Sequence, residues 1–255
     1  MVVIGVISAK GGVGKTTVVS NLGAALTKDF GRKVLVIDGN ITTPTLGIHL
    51  GMLSQDRTLD NVLDGIISFN QAIYIHPCGL HIVPTGLSPD GTYPDPGKLQ
   101  EKLMDIRNNY DIILIDCAAG IGKEVISAIT ASDSVLVVTN PEMTSIVAAI
   151  KIIKISKSLN IPILGIVVNK VAKEKYELKI SDIEELCETK VISIIPYDKK
   201  ISESIKKMTP IVLYDSKSPT TFAFKHLAAY IIGEGYVEYP KRTIWDKLKL
   251  SLIHI

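Results

Sequence analysis

Short runs rich in valine and isoleucine recur along the chain, at residues 2–8, 33–38, 80–83, 110–116, 134–139, 163–169 and 191–195. They are almost continuously apolar rather than alternating, the pattern of strands buried on both faces of a parallel sheet. Stretches of helical length separate most of them, at residues 17–30, 97–108, 122–131, 142–158 and 176–188. Strand and helix therefore alternate, which predicts an α/β fold with a doubly wound, mostly parallel sheet flanked by helices. Residues 84–97, PTGLSPDGTYPDPG, are dense in proline, glycine and aspartate and predict one long loop. The alternation resumes after it, so the loop is an excursion within one domain. No internal repeat and no low-complexity segment interrupts the pattern.

Composition adds a division of charge. With 255 residues, 46% hydrophobic and 21% charged, the chain can bury a sizeable core. The formal net charge is +2, and residues 241–255 hold Lys241, Arg242, Lys247 and Lys249 against Asp246. The positive charge thus sits in the tail, and the rest of the chain lacks the basic surplus of a general nucleic-acid binder. The expected organisation is a single domain over residues 1–240 followed by a tail, 241–255. Cys78, Cys117 and Cys187 are far apart and form no CxxC, which points away from a disulfide framework or thiolate metal site and toward a reducing cytoplasm. No charged-then-apolar leader opens the chain, and no apolar segment reaches the ~20 residues of a membrane span. The expectation is a protein neither secreted nor transmembrane.

The chemistry concentrates in AKGGVGKTT, residues 9–17, between the first strand and the first helix. A strand, a glycine loop and a helix start aim backbone N–H groups and a positive helix end at one spot, which makes an anion site. The loop is Lys10, Gly11, Gly12, Val13, Gly14, Lys15, Thr16 and Thr17. Lys15 is placed for the β- and γ-phosphates of a nucleotide, and the Thr16 hydroxyl for Mg²⁺. Ala9 stands where a P-loop usually has glycine, and Thr17 where the Rossmann fingerprint has its third, so this is a variant P-loop. Asp38 and Asp116 close two of the strands, KVLVID and YDIILID. Both carboxylates should emerge at the carboxyl edge of the sheet and serve Mg²⁺ and its waters. After the 163–169 strand comes Asn169-Lys170-Val171-Ala172, and a guanine site of NKxD type would need an aspartate in place of Ala172. ATP is favoured over GTP.

Together KGGVGKTT, VLVIDGN, IILIDCAAGIG, TNPE, VVNK and IIPYD give a chain that resembles the deviant-Walker ATPases of the ParA/MinD family, and within it the MinD proteins. The match runs in order over nearly the whole chain and implies a P-loop NTPase fold of the SIMIBI class. It implies that Lys10 reaches across a homodimer interface to the phosphates of the ATP held by the partner subunit, as an arginine finger does. It also implies that Asn169 and the Pro196 segment contact adenine and that Glu142 faces the nucleotide across the dimer. An aspartate that positions or activates the attacking water is expected two residues after Asp38, but this chain has Asn40. An amide can hold a water but cannot take its proton, which predicts slow hydrolysis or, at the limit, an ATP sensor. Ala148 likewise replaces an aspartate usual in the MinD proteins, so partner contacts along that helix should differ.

The tail reads KRTIWDKLKLSLIHI. On a helix, Ile244, Trp245, Leu248, Leu252 and Ile255 share a sector of about 100°, with Arg242, Asp246, Lys247, Lys249 and His254 on the other side. That is the pattern of a segment lying in an anionic membrane surface. One short helix binds marginally and two in a dimer bind with avidity, so the resemblance implies ATP-dependent peripheral attachment to the inner face of the membrane. The alternative for the tail is packing on its own domain or on a protein. The leading expectation is a cytoplasmic ATPase that acts as a spatial switch and positions an unidentified protein partner, for cell division or a similar task. Its rivals are a ParA-like partition ATPase retaining DNA as an ATP dimer, for which the charge balance is poor, and an iron-sulfur carrier, for which paired cysteines are missing.

Overall fold

The computed structural model describes residues 1–53, 55–86, 91 and 93–235. β1 (Val2–Ser8) runs through the glycine loop into α1 (Lys15–Lys28). There follow β2 (Val34–Gly39), α2 (Leu46–His49), α3 (Leu59–Leu63), β3 (Tyr74–Ile75), β4 (His81–Val83) and α4 (Leu99–Leu103). The second half is β5 (Ile112–Ala119), α5 (Lys123–Thr130), β6 (Ser134–Thr139), α6 (Met143–Ser158), β7 (Ile163–Val171), α7 (Ile180–Cys187) and β8 (Val191–Pro196). α8 (Lys199–Lys206), α9 (Ile211–Tyr214) and α10 (Pro219–Ile232) close it.

All strands join one sheet in the order β3-β4-β2-β5-β1-β6-β7-β8. The β3–β4 pairing is antiparallel and the others are parallel, the doubly wound arrangement expected from the alternation. Both faces are covered. Ile4, Val6, Val34, Val36, Ile112 and Leu114 point to the layer of α1 and α10, where Val18, Leu22, Phe224 and Leu227 pack on them. Val3, Ile7, Leu35, Ile37, Ile113 and Ile115 point the other way, toward Val125 and Ile129 of α5 and Ile146 and Ile153 of α6. Burial on both faces is why these strands read as unbroken apolar runs.

Strand and helix bounds otherwise shift by a few residues, with two larger corrections. The helix expected at 97–108 is broken into a 3₁₀ turn at Pro96–Lys98, α4 and a second 3₁₀ turn at Arg107–Asn109. The Asn108-Asn109 pair is a poor helix former next to a strand. The helix expected at 176–188 starts only at Ile180, because the Glu177 carboxylate accepts the Ala172 and Lys173 N–H groups at 2.8 and 2.7 Å and closes a loop there. The helices α8 to α10 were not anticipated. Residues 241–255, with the amphipathic helix and membrane surface expected of them, lie outside the described residues.

Candidate functional site

The carboxyl ends of β1, β2, β5, β6 and β7 share one edge of the sheet, and the candidate residues come from the loops that leave it. In the β1–α1 loop, Gly12 and Gly14 have φ of 78° and 96°, in the left-handed region. A Cβ on Gly14 would stand 2.3 Å from Asn169 Nδ2, so the loop can pass β7 only with glycine there. Gly14 opens α1 and no side chain caps the helix, which leaves the N–H groups of the first turn for an anion. The loop is fixed from outside as well. Val13 is buried in the α1 layer, its carbonyl accepts Asn169 Nδ2 at 2.8 Å, and the Gly12 carbonyl accepts Lys170 Nζ at 2.7 Å. Lys15 is only 9% exposed at the start of α1.

Asp38 and Asp116 are paired in register on neighbouring strands, and each is 1% exposed. Asp38 accepts the N–H groups of Asn40, Thr45 and Leu46 at 3.2, 3.1 and 2.9 Å, so the loop after β2 wraps its carboxylate. Neither oxygen of Asp116 has a partner of hydrogen-bonding geometry. Burial pushes the Asp116 carboxyl up to about 6, although the nearby Thr16 hydroxyl and Lys15 ammonium pull the other way. Asp38 is raised well above the usual carboxylate range, by burial first and by the charge of Asp116 second. Thr16 Oγ1 meets Thr45 Oγ1 at 3.1 Å. Two enclosed carboxylates, one of them with no hydrogen-bond partner in good geometry, beside a hydroxyl at an anion-binding helix start are the donor set a hard divalent cation takes. The residues therefore fit Mg²⁺ carried by a polyphosphate.

Lys10 is placed differently. Its Nζ donates to Glu142 Oε2 at 2.9 Å, Thr144 Oγ1 at 3.0 Å and Ser145 Oγ at 3.0 Å, all in or just before the first turn of α6 of the same chain. Glu142, the residue before α6, is thus a partner of Lys10 here. Asn40 is turned into its own loop, where its Nδ2 donates to the Thr43 carbonyl and its Oδ1 accepts Thr43 Oγ1 at 3.1 Å. Asn169 is 1% exposed and its Oδ1 is unpaired, an acceptor beside the P-loop. Pro196 ends β8, opposite Val171 on β7, and does not touch the aspartate pair's strands. Sequence reasoning missed Thr45, Lys170 and Asn140. With its amide oxygen and nitrogen exchanged, the orientation that its neighbours' hydrogen bonding favours, Asn140 donates to the Val13 carbonyl at 3.2 Å and to that of Asn169 at 3.3 Å. Asn140 is the second residue of TNPE and directly follows β6, which was a usable signal. Thr45 had none.

The model of the CobQ/CobB/MinD/ParA nucleotide-binding domain matches residues 4–211. An uncharacterized ATP-binding protein of Methanocaldococcus jannaschii is 40% identical over 236 residues, which is 92% of this chain and 89% of that one. The structure of the cell division ATPase MinD of Pyrococcus furiosus superposes with a TM-score of 0.87 at 34% identity and covers 91% of this chain and 98% of its own. The septum site-determining protein MinD of Pyrococcus horikoshii, solved with Mg-ADP, gives 0.86 at 32% identity over 90% of this chain and 95% of its own.

Proposed function

The chain belongs to the CobQ/CobB/MinD/ParA nucleotide-binding family, and from that premise we propose that it is a MinD-type ATPase and spatial switch. It binds ATP with Mg²⁺, pairs with a second copy while the γ-phosphate is present, and in that state attaches peripherally to the inner face of the membrane through residues 241–255. The observation that carries this is the buried Asp38–Asp116 pair at the mouth of the P-loop, with both Asp116 oxygens unpaired. The ATP-binding relative and the Mg-ADP complex of a similar MinD support the same ligand.

In this reading Lys15 and the N–H groups at the start of α1 hold the β- and γ-phosphates, and Thr16, Asp38 and Asp116 hold the cation or its waters. Mg²⁺, when bound, neutralises charge on the phosphate oxygens. Asn169 and the Pro196 segment face the base. Lys10 leaves its own subunit for the partner's phosphates when two copies meet. Hydrolysis is slow, because Asn40 offers an amide that is already engaged with Thr43 and that cannot accept a proton. Loss of the γ-phosphate then separates the pair and with it the two-tail grip on lipid. The output is the positioning of a protein partner. A DNA-retaining ATPase is less well supported, since residues 1–240 carry no basic surplus and Lys170, at the end of β7, spends its ammonium on the Gly12 carbonyl. Among the described residues no helix is long and apolar enough to cross a membrane.

Sedimentation velocity with Mg-ATP and with Mg-ADP tests the pairing. A dimer in ATP alone, lost in Lys10→Ala, is expected; a monomer in both nucleotides would overturn it.

A further inference from the structure

We propose that Glu124, in the first turn of α5, is a positioning residue that clasps Thr42 and so holds the 40–45 loop at the phosphate site. This role rests on the ATP hydrolysis proposed above and deepens it, by naming what fixes the loop that carries Asn40.

The loop after β2 is tied down in three ways. Asp38 accepts the N–H groups of Asn40, Thr45 and Leu46 and holds its two ends. Inside the loop, Asn40 Nδ2 donates to the Thr43 carbonyl and Thr43 Oγ1 donates to Asn40 Oδ1. Toward α5, Ile41 is 3% exposed and belongs to the same buried cluster as Val125. Next to that packed pair, Thr42 offers its hydroxyl and its N–H to the Glu124 carboxylate. Thr42 is exposed and Glu124 half-buried, so the clasp lies at the rim of the site.

Lys123, beside Glu124 in the chain, turns instead to Asp95 at 3.1 Å. Burial pushes the Glu124 carboxyl up, and the Thr42 hydroxyl and N–H pull it back down, so Thr42 offsets the cost of placing a carboxylate there. The positive end of the α5 dipole also favours an acid in the first turn, but that would serve the helix alone. Two bonds to one threonine of another loop do more, because they make the loop after β2 move with α5. Only Gly120, Ile121 and Gly122 separate α5 from the end of β5. The clasp therefore joins the strand that carries Asp116 to the loop that leaves Asp38.

Two measurements decide the matter. The first is hydrogen exchange in the nucleotide-free protein, read by peptide mass spectrometry. Glu124→Ala should speed exchange of residues 40–46 several-fold and leave residues 9–17 unchanged, whereas Glu124→Gln, which keeps a carbonyl oxygen for Thr42, should not. The second is single-turnover hydrolysis of Mg-ATP. Glu124→Ala should slow it about fivefold with ATP affinity unchanged, Thr42→Val should slow it less, and the double variant should be no slower than Glu124→Ala. Exchange of residues 40–46 that ignores Glu124, or losses that add in full as for a residue serving only the helix, overturns the clasp. A wild-type chain that hydrolyses no ATP instead overturns the reading on which the role rests, and the exchange rates still report separately on whether Glu124 holds the loop.

Discussion

Asp38 and Asp116 lie side by side at the ends of β2 and β5, in register, buried, and both held toward the protonated form. A carboxyl raised from 3.8 to about 6 binds a proton more tightly in the folded chain than in the unfolded one. The resulting destabilisation is absent below the unfolded pKa, grows as pH rises through that window, and is complete above about 6. Asp116→Asn should therefore stabilise the nucleotide-free protein at pH 7 by about 1–3 kcal/mol, with the gain vanishing near pH 4. Thermal melts of both proteins across that range check this. The same variant should lose the Mg²⁺-dependent part of its ATP affinity.

Gly14→Ala should weaken ATP binding at least about tenfold, because it forces a side chain into a φ of 96° and against Asn169. A fluorescent ATP analogue measures the affinity. Gly12→Ala makes a useful comparison, since its Cβ would meet nothing within 4 Å and only the φ of 78° resists it. It should bind better than Gly14→Ala.

Asn40→Asp should speed single-turnover phosphate release by about tenfold or more, by giving the loop after β2 a group that can take a proton. It also replaces the Asn40 Nδ2 donor to the Thr43 carbonyl with an acceptor, so a small loss of thermal stability should accompany the gain. An unchanged rate would mean that other groups position the water.

Asp29→Ala should destabilise the fold by about 2–4 kcal/mol, since it leaves Lys225 of α10 buried without the carboxylate 2.8 Å away at the end of α1. Denaturant unfolding at neutral pH measures the loss. Lys225→Met, which removes the charge and keeps the stem, should cost clearly less.

The sheet and the phosphate site were legible because each rests on local chemistry. Valine-rich runs ending in aspartate place Asp38 and Asp116 at the sheet edge, and Gly-Lys-Thr between strand and helix places Lys15 and Thr16. The α10 helix was missed although Ser218-Pro219 and Gly233 mark its ends, because its residues are apolar on nearly every side and show no helical period. The contact of Lys10 with Glu142 spans 132 positions, and no spacing rule reaches across it. The same holds for Asn169 against Gly14, where the fit of a side chain into a missing Cβ exists only once β7 lies beside the loop.

The most direct test of the switch is co-sedimentation with anionic lipid vesicles in Mg-ATP and Mg-ADP, for the whole chain and for a truncation ending at Pro240. Pelleting in ATP alone, abolished by the truncation and by Lys10→Ala, is the expected result. Pelleting that ignores both nucleotide and tail would contradict it.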